Sequence, residues 1–318
     1  KDLPKPNQPT LSSSQPTLSN HGKVYAGPAV RKLAREFGIM LSEVISSGPK
    51  GRILKEDLHR FVKEKLNTPN QPQKGFHFES YDIDFSQWGS IKEEPLTKFQ
   101  KAAFKNLHTS WINIPHVTQH DEADITDLLA LRLEIQKNRY TKITPLAFFI
   151  KAICNVLKDF PLLNSSLSSS LEGVVIKEFI NIGVAVDTPY GLIVPSIKNV
   201  HHLGILEIGD EIKRLSDLAK ARKLSNKELQ GGTFSVSSLG GIGGKFFTPI
   251  INPPEVAILG VSKVFEQLQI VKNKPQARTI LPLSLSYDHR VINGAYAAGY
   301  ITNLSKMLAD VSWIEENL

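Results

Sequence analysis

Apolar residues return every three or four positions after Pro28, at Val30, Leu33, Ala34 and Phe37, and Gly38 closes the run. This spacing predicts a short amphipathic helix opened by proline. A second helix is expected in ILKEDLHRFVKEKL, with Leu54, Leu58, Phe61 and Val62 on one face, after a glycine-containing loop, SSGPKGR. Further on, PLTKFQKAAFKNLHTSW predicts a helix with Phe99, Ala103, Phe104, Leu107 and Trp111 turned inward, and Thr144-Pro145 starts another through LAFFIKAICNVL. Residues 174–198 read as two strands, VVIKEFINIGVAVDT and LIVPSIK, joined by a turn at Pro189-Tyr190-Gly191. A polar helix is expected over about 205–222, and Ser225 with Glu228 has the capping-box spacing for a short one. Strands follow at TFSVSS, EVAILGVSKV and TILPLSLSY, then a last helix from Ala295. Helices grouped against a mixed sheet predict a two-layer α/β architecture. Regular strand–helix alternation is absent, so a doubly wound nucleotide fold is not expected.

Polar stretches divide these patterns. Residues 1–22 hold four prolines and four serines and little to bury, so they read as a flexible Pro/Ser linker; 67–76, containing NTPNQPQKG, reads as a second linker. Between them, 23–66 forms a small helical unit, and 77–318 is one large domain. Two helices in some 40 residues give a marginal core, which suits a docking module better than an enzyme. Over residues 24–66 this unit carries nine basic against five acidic residues, which by composition alone describes a solvated basic surface. The chain opens on Lys1 without a basic-then-apolar leader and reads as an internal fragment.

Charge and cysteine content narrow the picture. ITPLAFFIKAICNVL is interrupted by Lys151 and is shorter than the ~18 apolar residues of a membrane span, so no membrane partner is expected. The single cysteine, Cys154, excludes an intramolecular disulfide, suits a reducing compartment, and falls in an apolar helical pattern as buried filler. The net charge of +7 fits nucleic acid, an acidic protein face or an anionic cofactor. Scarce aromatic interleaving and the absence of zinc spacing argue against nucleic acid.

Candidate chemistry is sparse. SLGGIGGKFF fails as a P-loop, because Leu239 stands where the first glycine belongs and Phe246 follows Lys245; it reads as a structural turn or as a ligand-lining loop. His201-His202 lacks a metal-ligand partner, and His116 and His120, flanking a short strand, read as packing residues. His289 differs: it leaves the apolar run LPLSLSY between Asp288 and Arg290, with small residues from Gly294 onward. A neutral histidine there serves as a general base if its other ring nitrogen is held by a hydrogen bond. The alternative is a core histidine beside a surface ion pair.

Together the motifs resemble a family. DHRVINGA resembles the D-H-R-x-x-[DN]-G signature of the dihydrolipoamide acyltransferases, the E2 cores of 2-oxoacid dehydrogenase complexes, and GGTFSVSSLGGIGG with FFTPIINPPEVAILGVSK resembles the segments before it. PAVRKLAREFGIMLSEVISSGPKGRILKEDL is similar to the family's peripheral subunit-binding domain. The resemblance implies a chloramphenicol acetyltransferase-like two-layer sandwich with a mixed sheet, preceded by that small helical domain. It implies acyl transfer from a lipoyl group, carried on a domain outside this fragment, to coenzyme A, in a tunnel between subunits of a homotrimer that assembles into a larger core.

On the same ground His289 is the base, Asn293 its positioning residue and Ser237 the oxyanion donor. Lys98, Ser262 and Lys263 are coenzyme A contacts, and Phe247 lines the tunnel. Arg31, Arg35 and Arg52 dock dihydrolipoamide dehydrogenase or the 2-oxoacid decarboxylase. Asp288 and Arg290 anchor the turn. Asn293 replaces the aspartate of many members, Ser46 a usual glycine, and Ala29 a serine. DFSQWGSIKEEPLTKFQK looks most like bacterial acetyl-transferring members, which implies a cytoplasmic pyruvate dehydrogenase complex. Succinyl or branched-chain transfer and a non-catalytic structural core are the alternatives.

Overall fold

The structure, a computed structural model, describes residues 25–67, 83–139 and 142–318. The segment 1–22 and nearly all of 67–76, read as linkers, lie outside the described residues. The chain divides into two compact units, Lys1–Lys92 and Glu93–Leu318.

In the first unit, strand β1 (Tyr25–Ala26) pairs in parallel with β2 (Arg52–Ile53), and helices α1 (Pro28–Glu36) and α2 (Lys55–Asn67) pack together. Gly38 takes a left-handed φ of 66°, which ends α1 as expected. The second helix starts at Lys55, not at Ile53, because Ile53 is committed to β2 and is buried at 3% exposure. One carboxylate organises the intervening loop. Asp57 accepts from Ser47 N at 3.0 Å, Ser47 Oγ at 2.6 Å, Leu54 N at 2.9 Å and Arg60 Nη2 at 2.7 Å, and these bonds lower its pKa to about 2.

The second unit begins with α3 (Lys98–Asn113), capped by a Thr97–Gln100 capping box, followed by β3 (His116–Asp124), α4 (Thr126–Arg139) and α5 (Pro145–Leu157). Five short strands come next: β4 (Ser165–Leu167), β5 (Val174–Ile176), β6 (Ile182–Val184), β7 (Val186–Thr188) and β8 (Gly191–Ile193). Then follow β9 (Ser196–Ile197), α6 (Ile205–Lys220), the single turn α7 (Asn226–Leu229), β10 (Phe234–Ser238), β11 (Ala257–Val261), β12 (Phe265–Val271), β13 (Lys274–Asp288) and α8 (Gly294–Ala309).

The main sheet runs β12-β13-β11-β10-β6-β9, with β3 also paired to β13. It is mixed: β10 is parallel to β6 and β11, and the remaining pairs are antiparallel. Ten of the thirteen residues of α5 are buried, and it packs against α6 and α8 to form the core over one sheet face. Lys151 is tolerated in this helix because Nζ donates to the Leu203 carbonyl at 2.6 Å. Cys154 is fully buried, and burial raises its thiol pKa to about 11, which is filler rather than a nucleophile. No helix among the described residues is long and apolar enough to cross a membrane.

Several elements depart from the sequence pattern. The two long strands expected over 174–198 are five short pieces, β5 to β9, of which only β6 and β9 join the main sheet; Pro189-Tyr190 does turn between β7 and β8. His116 is the first residue of β3, but His120 sits inside the strand and does not flank it. The side of α3 expected to face inward is largely uncovered, with Phe104, Leu107 and Trp111 each at least half exposed, and only Ser110 is buried. Helix α4 and strand β12 were not anticipated at all.

Candidate active site

The site begins where β13 leaves the sheet. Asp288 is buried, and its carboxylate accepts from Arg290 N at 3.0 Å, Arg290 Nε at 3.0 Å and Arg290 Nη2 at 2.7 Å, while its carbonyl accepts from Val291 N and Ile292 N. Asn293 Oδ1 then caps α8 by accepting from Tyr296 N at 2.9 Å. Between these anchors His289 is held by its backbone, N–H to the Pro115 carbonyl at 3.1 Å, and its exposed ring lies 5.8 Å from that of Tyr287. No hydrogen bond holds the His289 ring among the described residues, so the support expected for its second nitrogen is not supplied within the chain.

On the other face of the sheet from the helical core, a cleft of about 530 Å³ contains Ser237 and Phe247. Along β10, Phe234 and Val236 enter the core while Ser235 and Ser237 line the cleft. The far edge of the Phe247 ring packs against β11 at Gly260, where a Cβ would stand 2.6 Å from Cζ. α3 and the segment 247–253 roof the cleft. Ser110 Oγ donates to the Ile251 carbonyl at 2.6 Å, and Ile251 N donates to His116 Nε2 at 3.0 Å. His116 Nδ1 in turn donates to the Ile114 carbonyl at 2.8 Å, which fixes the tautomer and makes His116 a clamp on the roof. His120 contacts Ser284 Oγ at 2.9 Å and the Phe246 ring at 4.9 Å.

The other residues expected at the site are dispersed. Lys98 lines an adjoining cleft of about 630 Å³ together with Arg222, which stacks 3.1 Å from the Tyr190 ring; the two clefts share Phe99, Gln100 and Gly191. Ser262 lines a third cavity of about 460 Å³, where Ser262 Oγ and Arg132 Nε are both buried without a hydrogen-bond partner. Gly240 and Gly241 border it, so the glycine-rich loop lines a cavity as well as turning. Lys263 is exposed and borders none of these cavities. Arg132 escaped the sequence reading; its signal was a single cation in the apolar run LLALRLEI.

Ser237 and His289 do not meet. Ser237 pairs with Gly260 and Gly260 with Ser284, so the three share a row across the sheet. His289 stands five residues past Ser284, roughly 17 Å along the strand direction, and Ser237 is two strands, roughly 10 Å, to the side. The separation of about 20 Å rules out direct cooperation within one chain, since proton transfer needs a heavy-atom distance of about 3 Å.

In the first unit the three expected docking residues are all exposed. Arg31 Nε donates to the Ala26 carbonyl at 3.1 Å, Arg52 Nη2 reaches the neighbouring Gly27, and Arg35 lies one turn further along α1. Arg31 and Arg52 lie near the start of α1, where the helix dipole adds positive potential, whereas Arg35 stands in its last turn.

Comparison with known proteins decides the family. Residues 89–314 match the family described as 2-oxoacid dehydrogenases acyltransferase (catalytic domain), and residues 24–59 match the E3 binding domain. The chain belongs to the 2-oxoacid dehydrogenase acyltransferase family. It is 48% identical over 297 residues to the dihydrolipoyllysine-residue acetyltransferase component of the pyruvate dehydrogenase complex of Pseudomonas aeruginosa, covering 91% of this chain and 54% of that protein. The Azotobacter vinelandii component is 46% identical, covering 92% and 47%. This acyltransferase chain thus spans about half the length of those relatives.

Among solved structures, the A. vinelandii dihydrolipoamide acetyltransferase matches with 45% identity and a TM-score of 0.71, over 74% of this chain and 98% of that one. That structure belongs to an investigation of one serine, one histidine and one asparagine in the enzyme's catalytic mechanism. The cubic core of a pyruvate dehydrogenase multienzyme complex matches with 46% identity and a TM-score of 0.71, over 74% and 98%.

Proposed function

We propose that this chain transfers an acetyl group between a dihydrolipoyl thiol and coenzyme A, as part of the core of a bacterial, cytoplasmic pyruvate dehydrogenase complex. The observation that carries the site assignment is an interval. In the A. vinelandii enzyme the serine precedes the histidine by 52 residues and the asparagine follows it by four, the same intervals that separate Ser237, His289 and Asn293.

A thiol of pKa ~8.5 is mostly protonated at neutral pH. His289 takes its proton, the sulfur attacks the thioester carbonyl, and Ser237 Oγ–H donates to the oxyanion that forms. Collapse of the intermediate expels the dihydrolipoyl sulfur, which recovers a proton from the imidazolium. Asn293 holds the end of the turn, so the histidine approaches in one orientation. The separation of Ser237 and His289 within the chain supports a site completed by a second copy.

Arg132 and Ser262, unpaired in their cavity, suit the anionic part of coenzyme A, and Lys263 and Lys98 add charge at a distance. The lipoyl group arrives on a domain outside the chain. Arg31, Arg35 and Arg52 present a basic face to an acidic one on dihydrolipoamide dehydrogenase or the decarboxylase.

The test is transfer from acetyl-CoA to dihydrolipoamide by the native chain and by His289→Ala. A native rate that falls by about 10²–10⁴-fold in the variant is the expected result. No transfer from acetyl-, succinyl- or branched acyl-CoA would leave a purely structural core.

A further inference from the structure

Among the described residues, no Asp, Glu, Lys, Arg or His lines the cleft that holds Ser237. A buried carboxylate nevertheless stands just behind its wall. Glu255 is 4% exposed and forms no ion pair among the described residues. Its carboxyl lies against Ser235 and Asn252, both of which line the cleft, and against Gly232, where a Cβ would come within 2.7 Å of Oε1.

The hydroxyl of Ser235 is close enough to influence the carboxyl, yet neither Ser235 Oγ nor Glu255 Oε2 completes a hydrogen bond of ordinary geometry. Buried groups left in this state are exceptions that call for a reason. Among the described residues the cation facing Glu255 is Lys177, whose Nζ is engaged by the Ser165 carbonyl at 2.8 Å and Ser166 Oγ at 2.7 Å and does not border the cleft. Lys198 is one residue further removed, bonded to Ser196 Oγ and the Gln230 carbonyl.

We propose that Glu255 is a specificity-determining residue that sets this cleft against acyl groups bearing a carboxylate. The inference rests on the acyl-transfer reading above. Ser235 and Ser237 are two residues apart on one sheet face, so Glu255, behind Ser235, lies roughly 7–10 Å from the point where the acyl carbonyl meets Ser237. A neutral acetyl or propionyl group feels little of that charge. A succinyl carboxylate meets a like charge with no cation on the cleft wall, and at an effective dielectric of about 20 this repulsion is on the order of tenfold or more in rate.

Burial raises the Glu255 pKa to about 7, against the pull of Ser235, Lys177 and Asn252. The carboxyl is therefore mostly neutral at pH 6 and mostly charged at pH 8. Discrimination against succinyl groups should sharpen across that interval.

The experiment measures kcat/KM for acetyl-, propionyl- and succinyl-CoA with dihydrolipoamide as acceptor, at pH 6 and pH 8, for the whole chain and for Glu255→Gln. The phosphates of coenzyme A are common to all donors and cancel in the ratios. The expected result is a succinyl-to-acetyl ratio that falls with rising pH in the native chain. In Glu255→Gln it is raised at pH 8 on the order of tenfold and no longer depends on pH. The propionyl-to-acetyl ratio should not move. An unchanged succinyl ratio in a variant that still transfers acetyl groups overturns the proposal, as does a propionyl ratio that rises in step, since size would then be the cause. If the variant does not fold, a native succinyl ratio that is flat with pH does the same. Absence of acetyl transfer in the native chain would instead defeat the functional reading itself.

Discussion

Asp57 and Glu255 show how differently two buried carboxylates behave. Asp57 receives four hydrogen bonds and its pKa falls to about 2; Glu255 receives too few and its pKa rises to about 7. The sign for Glu255 follows from linkage. A carboxyl raised above its unfolded pKa of about 4.3 favours folding while protonated, and that contribution is lost as pH rises from about 4 through 7. The difference of roughly two and a half pKa units corresponds to about 3 kcal/mol. Thermal unfolding of the larger unit should therefore show a fall in stability between pH 5 and pH 8 that Glu255→Gln removes. Equal pH slopes for the two proteins would mean that water or a shifted neighbour already satisfies the carboxyl.

At the level of elements, β11 matters for what it lacks. Gly260 sits opposite Ser237 on one side and Ser284 on the other, and its missing side chain is the space into which the Phe247 ring settles. Gly260→Ala should displace the ring while leaving the strand paired, since the obstructing atoms belong to the end of a side chain. We expect a loss of stability of no more than about 1–3 kcal/mol, the usual range for overpacking, with a clear rise in KM for dihydrolipoamide. Unaltered kinetics would remove Phe247 from the site.

The same elements show what the sequence could disclose. α5 and the capping box of α7 are legible in the sequence because local spacing and cap chemistry decide them. The pieces β5 to β9 were not, because their breaks are set by which strand each one meets. The face of α3 misled for another reason: Phe104, Leu107 and Trp111 repeat at helical spacing, yet each of them is at least half exposed within one chain. Ser237 and His289 could be named through motifs, while Arg132, Ser235 and Glu255 emerge only when distant segments share a wall.

For the whole molecule, the decisive quantity is the separation of about 20 Å between Ser237 and His289. If each site draws its serine from one copy and its histidine from another, neither Ser237→Ala nor His289→Ala homo-oligomers should be active, but mixtures should be. In an oligomer reassembled from equal amounts of the two variants, a site is intact only when the serine comes from the His289→Ala chain and the histidine from the Ser237→Ala chain. Random assembly around a closed ring makes this true of about a quarter of sites. Co-expression or joint refolding of the two variants should thus recover about a quarter of native acetyl transfer, while mixing the preassembled proteins should recover none until subunits exchange. The uncovered stripe of α3 gives the association a plausible apolar component, so recovery should require assembly and not merely high concentration. Co-assembled variants that remain inactive, with the native oligomer active, would show that serine and histidine serve the same site from one chain after a rearrangement of β13, whereas an active Ser237→Ala homo-oligomer would show that the serine is dispensable.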